Sequence, residues 1–145
     1  MTTTVLIACD VSSTDYSVPL GLEIWLDGEQ IQDINPVDRL EHIEFTVKDA
    51  DGEHELSFKL KNKLPEHTKI NDDREIIRDA TIKIDNVEFD DIPLGQVLTR
   101  LAEYQHDHNG TGPMSTNKFY GEIGCNGQVT LKFSTPIYLW MLDHM

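Results

Sequence analysis

The stretch EHIEFTVKDADGEHELSFKLK, Glu41 to Lys61, decides the fold class. In it Ile43, Phe45 and Val47 alternate with Glu44, Thr46 and Lys48, and beyond Asp51-Gly52 the residues Leu56, Phe58 and Leu60 alternate with polar neighbours. Successive side chains of a strand point to opposite faces, so each run wets one face and buries the other. Asp-Gly favours the tight turn between antiparallel strands, and Glu41 to Lys61 therefore reads as a hairpin.

The same period continues on both sides of this stretch. LEIWLD sets Leu22, Ile24 and Leu26 against Glu23, Trp25 and Asp27. ATIKIDNVEFD aligns Ile82 with Ile84, QVTLKFS aligns Val129, Leu131 and Phe133, and TTVLIAC supplies a first strand. Turn-rich breaks separate the runs at DVSSTDYSVP, DINPVD, NKLPEHTKINDDR and HDHNGTGPMSTN. A helix is expected from Leu94 to Tyr104, where Val97, Leu98, Leu101 and Tyr104 recur at helical spacing after Asp91 and Pro93. Five or more short strands with many turns and one short helix predict an all-β fold, an antiparallel, jelly-roll-like β-sandwich forming a single domain over residues 1–145.

Composition narrows the function. With 12 Lys and Arg against 26 Asp and Glu, the formal net charge is -14, so a phosphate backbone is repelled and nucleic acid is not an expected partner. No run of residues is long and apolar enough for membrane insertion. The segment MTTTVLIACDVSS lacks the basic start of a secretory signal, which sets an expectation of synthesis in a cytosol. In that setting a Cys9–Cys125 disulfide is a weak default, and each cysteine reads as a small buried hydrophobe rather than as a redox centre.

Three segments invite a chemical reading. VKDADGEHE packs Asp49, Asp51, Glu53 and Glu55 around a glycine, but the glycine is misplaced for an EF-hand loop and both flanks alternate like strands. YQHDHNGTG gathers Tyr104, His106, Asp107, His108 and Asn109 without the second ligand pair of a structural zinc site. Trp25 stands on the polar face of its strand, and Tyr16, Tyr104, Phe119 and Tyr120 lie in or beside loops, where rings offer platforms for sugars or a protein partner. Packing of Trp25 beneath the helix is the competing expectation. Neither a nucleophile elbow nor a phosphate-cradling glycine loop is present, so an enzyme is not expected, although an acidic glycoside hydrolase needs only two well-spaced carboxylates.

GEHELSFKLKN followed by DDREIIRDATIKIDNVEFDD, together with AEYQHDHNG and GCNGQVTLKF, resembles the calcium-dependent xylan-binding carbohydrate-binding modules over roughly Gly52 to Phe133. That resemblance implies a non-enzymatic glycan-binding β-sandwich with calcium as its cofactor. It carries over Asp107, Asn109, Glu122 and Asn126 as candidate metal ligands; the rings expected to bind a ligand, Tyr104, Tyr120 and Trp25, come from the placement of aromatic residues on strand faces and loops. The segment from Asn126 to Trp140 is also similar to the closing segment of small proteins of marine tailed phages. This implies a viral protein made in the host cytoplasm, displayed on a virion to engage glycans or a host surface, or else a structural protein that joins other virion proteins. The apolar run IYLWMLDHM must bury against its own sandwich or against another copy in a homo-oligomer.

Overall fold

The computed structural model describes residues 4–107 and 112–144, with the side chains of residues 65, 77 and 78 left aside. Two antiparallel sheets face each other. The smaller contains β1 (Thr4–Ser13), β4 (Glu41–Lys48), β8 (Ile82–Phe89), β9 (Ile92–Pro93) and β12 (Glu122–Ile123), in the order β12-β8-β1-β4 with β9 folded back on β8. The larger adds β2 (Gly21–Leu26), β3 (Glu29–Ile34), β5 (Gly52–Lys61), β10 (Glu103–His106), β11 (Ser115–Lys118) and β13 (Gly127–Thr135), in the order β11-β10-β13-β5-β2-β3. A separate ribbon pairs β6 (Thr68–Ile70), inside a stretch that reads as loop in the sequence, with β7 (Ile76–Asp79) just beyond it.

The alternation read from sequence holds. Leu22, Ile24, Leu56, Phe58, Ile82, Ile84 and Leu131 are each at most 2% exposed and fill the space between the sheets. Removing a ring such as Phe58 from so closed a core costs about 3–5 kcal/mol.

The hairpin over Glu41–Lys61 is not formed. β4 pairs with β1 in one sheet while β5 pairs with β2 and β13 in the other, so the link Asp49–Asp51 crosses between layers. Long-range bonds hold this crossing: the Asp49 carboxylate accepts from the Ile137 amide at 2.8 Å, and the Thr135 hydroxyl donates to the Ala50 carbonyl. The Asp-Gly hairpin lies elsewhere, at Asp27-Gly28 between β2 and β3, where both residues have the positive φ (52° and 80°) of a type I′ turn.

There are two helices among the described residues, not one. Helix α1 spans only Gln96–Leu101, beginning after Gly95 at φ 52° with no side-chain cap, and Tyr104 belongs to β10. Pro93 ends β9, because Asp90 and Asp91 (φ 51° and 65°) make a tight turn that returns the chain along β8. Helix α2, Ile137–His144, follows β13 and buries Ile137, Trp140 and Met141. Trp140 reaches Phe89 of the smaller sheet and Phe133 of the larger, with ring centroids 6.1 Å away in each case, and closes that end of the sandwich. The apolar terminal segment thus packs on its own sandwich. Both cysteines are free thiols, and burial pushes that of Cys9 up to about 12.

Asp49 is the side-chain cap of α2, so Asp49→Ala is expected to cost about 1 kcal/mol in urea unfolding. On the outer face of the smaller sheet His42 lies 2.7 Å from Asp10 and 2.8 Å from Glu44, and Asn86 donates to Asp10 at 2.8 Å. Bonds to Asp10 and then Glu44 raise the His42 pKa above its ordinary value. Its stabilisation is therefore complete below the unfolded pKa of about 6.5 and disappears as pH rises through the folded value. NMR titration is expected to place His42 above a free histidine, and Asp10→Asn to move it back down.

Candidate functional site

The outward half of the larger sheet presents an ordered polar face. Because pairing is in register, Glu23, Lys59, Gln128 and Gln105 form one row across β2, β5, β13 and β10, and Trp25, Ser57, Thr130 and Glu103 form the next. Four strands set about 4.8 Å apart make each row about 14 Å long. Gln128 Nε2 donates to Thr130 Oγ1 at 2.9 Å and to Ser57 Oγ at 3.3 Å, which fixes the amide against the sheet.

Trp25 is half-buried on this face and does not pack beneath a helix. Its Nε1 donates to Glu23 Oε1 at 2.9 Å, and the Lys59 ammonium lies 4.5 Å from the ring centroid. Glu23 is held in turn by Lys61, whose ammonium is 3.2 Å from it and 2.8 Å from Asp33. The indole is thereby oriented. A cation over an exposed ring contributes about 0.5–1 kcal/mol, little enough for a ligand to displace.

A third row, Glu55 opposite Lys132, leads into an open hollow of about 770 Å³ bounded by the Asp27-Gly28 turn, Glu53, His54, Ser134 and Trp140. A smaller hollow of about 190 Å³ beside Thr130 and Glu103 also reaches Lys132. Within the larger hollow His54 joins Asp27 (Nδ1 to Oδ2, 2.7 Å) to Thr135 (Nε2 to Oγ1, 3.0 Å). The arrangement has the order of a nucleophile relay, but Thr135 is 5% exposed and its hydroxyl is spent on the Ala50 carbonyl. It acts as a clasp between the β2–β3 turn and the end of β13.

The other residues expected at a site are placed differently. Tyr104 is 8% exposed and faces inward on β10, where its hydroxyl donates to the Cys125 carbonyl at 2.7 Å and accepts from the Cys125 amide at 2.8 Å. That correction makes it a brace for the Cys-Asn-Gly corner and not a stacking platform. Burial lifts its phenol to about 12. Asn126 is spent on the backbone of Lys63, accepting from its amide at 2.9 Å and donating to its carbonyl at 2.8 Å. Glu122, on β12, accepts from the Thr81 hydroxyl. Asp107 follows β10, its carbonyl accepting from the Gly112 amide at 3.2 Å, and Asn109 falls outside the described residues. Tyr120 is 75% exposed on the crossing from β11 to β12, on a different part of the surface from the rows around Trp25.

Among the described residues no three His, Cys, Asp or Glu converge to hold a metal ion. Of the donor set carried over for calcium, Asn126 Oδ1 and one carboxylate oxygen of Glu122 accept hydrogen bonds from the Lys63 amide and the Thr81 hydroxyl. The residues that do form a surface, Gln105, Lys59, Gln128 and Thr130, lay in plain sight as the polar half of the alternating strands. Strand order, which alternation does not specify, is what brings them together.

The sequence matches no protein family and no curated protein. One solved structure, titled vCBM60 in complex with galactobiose, superposes with a TM-score of 0.49 and 9% identity, covering 87% of this chain and 96% of that one.

Tyr104→Phe is expected to leave two backbone groups of the corner without their partner and to cost about 1–3 kcal/mol in chemical denaturation. In an alkaline difference spectrum, the same variant is expected to lose a tyrosine that resists ionisation until about pH 12.

Proposed function

We propose that the outer face of the larger sheet is a glycan-binding surface and that the protein binds without catalysing a reaction. One observation carries this reading: an indole oriented by Glu23 and Lys59 stands in register with a row of hydroxyl and carboxylate side chains, beside a row that holds the amides of Gln128 and Gln105. A sugar presents both a C–H face and a rim of hydroxyls. The ring of Trp25 suits the first, while Gln128, Thr130 and Gln105 donate to and accept from the second. The resemblance of Gly52 to Phe133 to carbohydrate-binding modules supports the same direction. The clasped state of Thr135 removes its hydroxyl as a nucleophile.

Screening against a glycan array followed by calorimetry on the best ligand tests the proposal. Trp25→Ala is expected to weaken binding at least about tenfold, the equivalent of about 1.4 kcal/mol, with an unchanged melting temperature. Gln128→Ala should weaken it less, and Glu44→Gln on the opposite outer face should leave it alone. Binding that survives Trp25→Ala unchanged overturns the assignment.

A second reading, assembly with other copies or with virion proteins, is favoured by α2, whose Tyr138, Leu139 and Leu142 are 53%, 61% and 74% exposed. Its test is the pair Leu139→Lys and Leu142→Lys rather than removal of the helix, because Ile137, Trp140 and Met141 belong to the core. Assembly through this face predicts a fall in molar mass by light scattering for the double variant.

A further inference from the structure

We infer that the corner to which sequence resemblance assigns calcium is held by an ammonium built into the chain, that of Lys63, and needs no metal. The Lys63 side chain is wholly buried, with 0% exposure. Its Nζ donates to Asp79 Oδ1 at 2.5 Å and to the Ala80 carbonyl. The same Asp79 oxygen accepts from Thr68 at 2.7 Å, and the Asp79 carbonyl accepts from Thr14 at 3.1 Å.

The backbone of Lys63 is gripped at the same time. Asn126 takes both its amide and its carbonyl, and Asn126 lies in the Cys-Asn-Gly corner that Tyr104 braces. The other oxygen of Asp79 lies beside the corner, since a Cβ added to Gly124 would stand 3.6 Å from it. Lys63 therefore ties the exit of β5 to the end of β7 through its ammonium and to the entry of β13 through its backbone. A carboxylate oxygen and a carbonyl are the donors that a hard cation takes from a protein. Here the positive charge comes on a side chain whose position is fixed by the corner itself, and a charge buried in this way is stable only while its partner is present.

The test begins with the full chain as purified. Elemental analysis is expected to find no stoichiometric calcium, and the melting temperature is expected to be the same in EDTA and in excess calcium. Stoichiometric metal, or a melt that falls in EDTA and returns with calcium, overturns the inference. Lys63→Met and Asp79→Asn are each expected to lower the melting temperature by several degrees. The double variant should lose less than the sum of the two, because neither charge is then left buried alone. Additive losses, or a Lys63→Met protein that melts like the parent, overturn it as well. Should either variant fail to fold, the metal analysis and the EDTA melt decide.

Discussion

The sandwich depends on a crossing only three residues long. Asp49, Ala50 and Asp51 carry the chain from the edge of one sheet into the middle of the other, and a link that short holds its course only if something distant fixes it. The fixing comes from the end of β13 and the start of α2, through the Thr135 hydroxyl on Ala50 and the Asp49 carboxylate on the Ile137 amide. His54 and Asp27 extend the same network to the β2–β3 turn. With the crossing in place β5 lies against β13, their outward residues fall into rows, and Trp140 settles between Phe89 and Phe133.

Local physics explains which parts of this were legible in sequence. The pleat's period of two is written in the residues, so the buried faces of β2, β4, β5, β8 and β13 follow from alternation alone. Partner choice is not local. Two Asp-Gly pairs occur, and the one at Asp27-Gly28 makes the tight hairpin while the one at Asp51-Gly52 becomes a crossing, because bonds to residues more than eighty positions away decide it. The helix predicted to reach Tyr104 stops at Leu101, as Tyr104 pairs with Val129 in the larger sheet.

Polar residues show the same division. Trp25 was legible as an outward ring because its neighbours alternate, and the structure leaves it outward. Tyr104, Asn126 and Glu122 carry the chemistry of ligands yet are occupied within the protein, by Cys125, Lys63 and Thr81. Nothing in NKLPEH marks Lys63 as a buried charge, since only its meeting with Asp79 makes burial tolerable.

The position of β13 has a consequence for biosynthesis. It follows every other described strand in the chain, yet it lies between β10 and β5 in the larger sheet. A ribosome releases the flanking strands first, and until residues 127–135 emerge the edges of β5 and β10 have no partner and the cavity between the layers stays open to water. The nascent protein therefore passes through a long interval as a sticky, half-built sheet, and the acidic side chains that crowd its surface repel neighbouring nascent copies during that wait.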